Sequence, residues 1–303
     1  MNFVAIAGAL VLASLTFGAS LASASGPFSG KNGNLAVVKA GKGPMRMGVL
    51  NRKGNFRTLY KTSSDDFIQN VSFSPSGSRI AFALGFQPVG LAIAKASTGR
   101  QQWLDIGDTN VSWPTWASNG RIAFSTDGNQ GGRRSGTYTM RSNGRGIKKL
   151  FARQQVAASP DLKHFAELDK RGNSHFLKLL DARGKRVRTL AANQKYFFTD
   201  PSFSPDGRWI TYSRAPADPS GDYRGSLFVV RRDGTCKTRL TTGNRDRDPA
   251  FSPDGRWLAF DRERKGQNYF SSISILPVKH PKKVRRISHS PKATYFDVSW
   301  GRR

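Results

Sequence analysis

A ten-residue phrase written almost twice constrains this chain more than any other feature. It runs Pro201-Ser202-Phe203-Ser204-Pro205-Asp206-Gly207-Arg208-Trp209-Ile210 and recurs 48 residues later as Pro249-Ala250-Phe251-Ser252-Pro253-Asp254-Gly255-Arg256-Trp257-Leu258. Self-similarity at a fixed period of this size means stacked supersecondary units. Each copy describes a β-hairpin, a short strand followed by a Ser-Pro-Asp-Gly turn and a second apolar strand. Proline pre-sets the first central turn position, Asp tolerates the next, and Gly accepts the left-handed conformation that follows.

The phrase decays in both directions but can be followed. Phe73, Trp116, Ala158, Phe203, Phe251 and Trp300 mark its aromatic position, at intervals of 43, 42, 45, 48 and 49. At the third weaker copy, Ala158-Ser159-Pro160-Asp161, Leu162 stands where glycine is expected. Between markers the order is strand, turn, strand, loop, strand, turn, strand. In the clearest unit these are 201–204, 209–213, 226–231 and 237–240. Four strands per unit of this length is the blade of a β-propeller. Lys31-Asn32-Gly33 before Leu35-Ala36-Val37-Val38 reads as a turn and second strand whose first strand is missing. The orphan strand Asp297–Trp300 supplies it. The expected fold is therefore all-β: six blades of four antiparallel strands, the first closed by the C-terminal strand, which removes the open edges of a linear array.

The Ser-Pro-Asp-Gly-Arg-Trp-Ile/Leu-Ala-Phe pattern resembles the PD40 (WD40-like) repeat of TolB-like propellers, and the resemblance covers essentially all of residues 25–303. It implies a six-bladed propeller used mainly for protein–protein contact. TolB itself carries an α/β domain before its propeller and docks to a peptidoglycan-associated lipoprotein. Here only a short stretch separates Ser25 from the first strand. The Gly-His…Trp-Asp marks of true WD40 repeats and the double glycine of kelch are absent.

Residues 1–24 read as a signal peptide. Phe3 to Leu15 is apolar and uncharged, and Ala22-Ser23-Ala24 has the small-residue pattern of a cleavage site. Ser14, Thr16, Gly18 and Ser20 interrupt the run, which argues against a membrane anchor. No lipobox cysteine follows. The expectation is an exported, monomeric protein, periplasmic or extracellular. Cys236 is the only cysteine, so no intrachain disulfide is possible; it reads as a small, partly buried residue on an outer strand. A net charge of +29 implies affinity for polyanions, such as teichoic acid or lipid headgroups. Export and the lack of a recognition helix argue against nucleic acid.

Three groups of residues are candidates for binding. The first stands three residues before each marker: Asn70, Trp113, Gln155, Asp200, Asp248 and Asp297, placed where the innermost strand begins. Asp200, Asp248 and Asp297 fall on consecutive blades and form an acidic arc at the channel mouth. Such an arc reads either as a cation or ammonium site or as backbone caps, the plainer reading. No ligand spacing supports a metal. The second group is a belt of Arg and Lys on the outermost strands: Arg57, Arg100, Lys148, Lys149, Lys185, Arg186, Arg188, Lys237, Arg239, Lys282, Lys283, Arg285 and Arg286. Charged outer strands discourage edge-to-edge aggregation, but that purpose does not need such an excess of one sign. The third group lies on the face that carries the loops between second and third strands and the blade connectors. Its residues are Arg133, Arg134, Lys170, Arg171, Tyr223, Arg224, Arg245, Arg247, Arg264 and Lys265.

Catalysis is not expected. The chain has no Gly-x-Ser-x-Gly elbow, and its four histidines are scattered. No motif calls for a cofactor. The function expected is a non-catalytic binding scaffold for an envelope protein or anionic polymer. The alternative is a glycan- or peptide-processing enzyme with a channel-mouth active site, since propeller sites assemble from single residues on separate blades.

Overall fold

A computed structural model of the chain describes residues 30–63, 66–85, 90–104, 106–107, 111–128, 134–217, 225–242, 245–263, 270–288, 290 and 292–303. The expected signal peptide lies outside them. Six four-stranded antiparallel sheets make up the fold. Strands within a blade are lettered a to d from the innermost outward. Blade one takes strand a from Ala293–Arg302, then Asn32–Gly41, Arg46–Leu50 and Phe56–Lys61. Blade two holds Phe67–Phe73, Arg79–Gly85, Gly90–Lys95 and Gln101–Leu104. Blade three holds Val111–Trp116, Arg121–Thr126, Gly136–Arg141 and Lys148–Phe151. Blade four holds Val156–Ala158, His164–Arg171, Ser174–Asp181 and Arg186–Asn193. Blade five holds Tyr196–Phe203, Trp209–Pro216, Ser226–Arg231 and Thr238–Arg239. Blade six holds Asp246–Phe251, Trp257–Glu263, Ser271–Pro277 and Arg285–Arg286.

The ring closes as the sequence implies. Strand a of blade one is the C-terminal strand, and it pairs with strand b from Leu35↔Trp300 to Gly41↔Ala293. The core is divided accordingly into six apolar clusters, one for each pair of neighbouring blades. Every marker residue is buried and packs toward the preceding blade: Phe73 with Val38 and Val49, Trp116 with Leu91 and Ile93, Trp300 with Ile273 and Ile275. Blade-to-blade packing of large side chains, worth about 1.5–3 kcal/mol for each one fully buried, therefore replaces the disulfides this chain cannot form.

The repeated turn stabilises itself. In blade five the Gly207 amide donates to the Ser204 carbonyl at 2.8 Å, and the Ser204 hydroxyl donates to Asp206 at 2.5 Å. Asp206 also accepts the Arg208 amide at 3.0 Å, while Ser204 Oγ accepts the Trp209 amide at 2.9 Å. The same bonds recur around Ser252 and Asp254, and around Ser159 and Asp161. Leu162 takes the glycine's place with φ 57° and keeps the turn.

In blade two the turn also meets the chain's last strand. Gly77 has φ +71°, and a Cβ there would lie 2.0 Å from the Arg302 carbonyl oxygen. At Gly120, φ is +76° with nothing within 4 Å of the added carbon. Gly120→Ala should therefore lose about 1 kcal/mol for backbone conformation alone. Gly77→Ala should lose about 2–3 kcal/mol, because backbone must also move. Urea unfolding of the two variants side by side separates the contributions.

Candidate functional site

The six residues at the fixed register before the markers share one conformation. Asn70, Trp113, Gln155, Asp200, Asp248 and Asp297 all have φ between 49° and 59°. In five blades the pairing of strands a and b shifts register at that point, for example between Gln69 and Ser72 and between Arg247 and Ala250. Each is a β-bulge whose extra residue is left-handed. Asn and Asp suit this position because their short polar side chains tolerate that region. In blade four the strand is shorter, and Gln155 stands directly before it.

The structure thus moves the arc inward from the place the sequence suggests. Strand a of blade five starts at Tyr196, not Pro201, and Asp200 lies within it. Asp297 likewise sits mid-strand in Ala293–Arg302. At three of these bulges the side chain reaches forward to the next blade. Asp297 Oδ2 accepts the Asn70 amide at 2.7 Å, Asn70 Oδ1 accepts the Trp113 amide at 3.2 Å, and Asp200 Oδ2 accepts the Asp248 amide at 3.4 Å. A second tier lies below, where Ser299 Oγ accepts the Phe73 amide and Ser72 Oγ accepts that of Trp116.

Asp261, on strand b of blade six, joins the acidic arc. It is fully buried, and Arg247 Nη2 approaches its Oδ2 at 3.5 Å. The Asp261 and Asp248 carboxyls also meet, sharing a hydrogen bond when one of the two is protonated. Ser125 and Ser213, which occupy the same strand-b register in blades three and five, carry unpartnered buried oxygens. Crowding of carboxyls in a narrow, partly buried neck favours their neutral forms. Burial pushes Asp248 well above the usual range, reinforced by Asp200, Asp261 and Asp297. Burial likewise lifts Asp261 to about 6 against the opposing charge of Arg247, and Asp297 to about 7 against the bond from the Asn70 amide. Among the described residues, no group of three or more His, Cys, Asp or Glu side chains is arranged to hold a metal ion.

Sequence reasoning missed Asp261 because it follows the apolar run Leu258-Ala259-Phe260 rather than the repeat's marked position. The signal available was an acid continuing a buried strand.

Only half of the ten loop-face residues fall among the described ones. Arg133, Tyr223, Arg224, Arg264 and Lys265 lie outside the described residues. Arg134 is exposed, and its carbonyl accepts the Tyr138 hydroxyl at 2.5 Å. Lys170 and Arg171 are not in a loop: they pair with His175 and Ser174 at the end of a tight hairpin. Both are exposed, and Arg171 reaches Asp169 at 3.1 Å. Arg245 pairs with Glu263, Arg247 with Asp261, and Arg262 grips the fully buried Asp246 at 2.7 and 2.9 Å. These ion pairs anchor the top of blade six.

All thirteen Arg and Lys residues of the outer belt are exposed, but only eight stand on strand d: Arg100, Lys185, Lys237, Lys282 and Lys283 lie in the turns before it, and Gln101–Leu104 of blade two carries no cation. Many of the described carboxylates are occupied elsewhere. Asp161, Asp181, Asp206, Asp233 and Asp254 cap their own turns. Glu167 pairs with Arg153 at 2.6 Å, and Asp169 with Lys178. Cys236 is half-buried just before strand d of blade five, with φ 52°.

No protein-family model matches the chain, and no curated protein matches it in sequence. Solved structures do match. TolB from Acinetobacter baumannii aligns with a TM-score of 0.68 at 19% identity, covering 91% of this chain and 67% of that one. A putative TolB from Agrobacterium tumefaciens aligns with 0.63 at 17%, covering 90% and 99%. Oligogalacturonate lyase in complex with manganese aligns with 0.50 at 12%, covering 80% and 74%. TolB proteins and a lyase thus share this architecture. The chain folds as a six-bladed propeller of the TolB-like type.

Proposed function

We propose that this protein is an exported, non-catalytic binding scaffold, held on an anionic polymer or protein of the cell envelope by its cationic surface. The observation that supports it is the sorting of charge. Many of the described carboxylates close turns, neutralise neighbouring cations or crowd the channel, while the outer strands of five blades, and Arg100 just before that of blade two, present exposed Arg and Lys. A field of one sign steers and holds a polyanion without a deep pocket. Arg134, Lys170 and Arg171 extend the same charge to the loop face, which we place in contact with the partner as well. Within the described residues no helix is long and apolar enough to cross a membrane.

Binding of this kind is sensitive to salt. Raising ionic strength from about 0.1 M to 1 M shortens the Debye length from about 10 to 3 Å. Affinity for heparin or for teichoic acid should fall at least roughly tenfold over that interval. Retention on either polymer that survives 1 M salt would sink the electrostatic account.

A further inference from the structure

We propose that the groove where the ring closes, between blades one and two on the face of the tight turns, is a specific site for a phosphate-bearing ligand. This rests on the polyanion reading above and gives it a location, on the face opposite the loops. The groove has a volume of about 420 Å³. Arg52, Lys53, Arg302 and Arg303 line it, and no acidic side chain does. Its floor is apolar, with Val49 and Phe73 nearly buried.

The cations come from segments far apart in the chain and are set by backbone. The Arg303 amide donates to the Lys31 carbonyl at 3.0 Å. Beta-carbons at Gly33 and Gly77 would lie 2.8 and 2.0 Å from the Arg302 carbonyl oxygen, and one at Gly301 would lie 2.8 Å from the Phe73 ring. Only the absence of those carbons lets the last strand lie against the turns of both blades. On the far wall, Asn51 Oδ1 accepts the amides of Lys53 and Asn55 at 2.9 and 3.1 Å. That fixes the turn that presents Arg52 and Lys53.

Ligand class follows from this charge and shape. Four cations around one concavity are poorly matched by a single carboxylate. A phosphate monoester carries roughly −1.5 to −2 at pH 7 and three acceptor oxygens, and Arg meets it with two parallel hydrogen bonds. The apolar floor accommodates the carbon portion of an ester. A second groove, of about 460 Å³ and lined by Arg79, Lys95 and Arg100, differs in an informative way. There Arg79 lies over the Trp116 ring at 4.9 Å and donates to Ser142 at 3.1 Å, so it is used within the fold.

The test is calorimetric titration of the full chain with pyrophosphate, with polyphosphate, and with vesicles containing phosphatidylglycerol. Arg52→Gln/Lys53→Gln is compared with Lys185→Gln/Arg186→Gln, a belt pair that removes the same charge. Pyrophosphate should bind one-to-one, and the Arg52/Lys53 variant should weaken it roughly tenfold or more while the belt variant changes it little. The vesicle arm shows whether a lipid headgroup or a soluble phosphate is preferred. Polymer binding without pyrophosphate binding, or equal losses in both variants, overturns the site and leaves the scaffold reading standing. Absence of binding to any of the three overturns both.

Discussion

Removal of residues 297–303 should abolish cooperative folding rather than shorten a tail. The lost segment carries Trp300 and Val298, which are 6% and 7% exposed and packed against blade six. It also carries the pairings Leu35↔Trp300 and Ala36↔Ser299, so the first half of strand b of blade one becomes an open edge beside the channel, while residues 38–41 keep their pairing with 293–296. Leu35 and Val37, both fully buried, then face solvent. Two bonds that tie blade one to blade two go as well, from the Asn70 amide to Asp297 and from the Phe73 amide to Ser299. Truncating one large buried aromatic costs about 3–5 kcal/mol, and each buried amide left unpaired costs about 1–3 kcal/mol more. Their sum reaches the 5–15 kcal/mol that typically holds a whole domain together. Circular dichroism melting and limited proteolysis measure the outcome. A truncated chain that still melts cooperatively within a few degrees of the intact one would show that the ring does not depend on its closing strand.

Much of the architecture was legible because it is periodic. The marker interval counts blades, and the unpaired half-units at both ends reveal the shared first blade. Even Leu162, out of pattern, sits in the same turn, since the Ser159 and Asp161 bonds hold it whatever occupies the glycine position. The candidate site was legible only in part. Asn and Asp at one register signalled a left-handed residue, but the same pattern fits a strand start. Its true place depends on how far strand a runs upstream, and Tyr196-Phe197-Phe198 extends it before the repeated phrase begins. Other features depend on pairs that no periodicity links. Arg245 and Glu263, or Arg247 and Asp261, meet across a hairpin register. The closure groove joins residues near 52 to residues near 302, and three missing β-carbons decide its shape.

The channel neck carries the second large expected effect, on the pH dependence of stability. In the unfolded chain Asp248, Asp261 and Asp297 ionise near their ordinary value of 3.8. In the fold, Asp261 keeps its proton to about 6 and Asp297 to about 7, with Asp248 also far above the usual range. Between about pH 4 and 7 the folded chain therefore binds more protons than the unfolded one, so stability falls as pH rises through that window. Asp181, through the Lys185 amide, and Asp233, through the Thr235 hydroxyl, are held low and act only below that window. His164 and His175 are lowered by burial and oppose the trend near pH 6.5, but both lie in more open surroundings.

Asp248→Asn removes the carboxyl with Asp200, Asp261 and Asp297 around it, and the fold already shows that asparagine fits. Asn70 holds the equivalent bulge at φ 55°, with its oxygen on the Trp113 amide. The variant should match the parent near pH 4 and exceed it by roughly 2–4 kcal/mol at pH 8, with a flatter profile between. Urea unfolding at the two pH values decides it. Equal destabilisation at both would mean that the carboxylate is ionised and held by Arg247, the state that a bound cation in the neck would also require. Stabilisation confined to high pH instead identifies Asp248 as one of a crowded group of carboxyls that the fold holds neutral, and leaves binding to the cations on the outside of the ring.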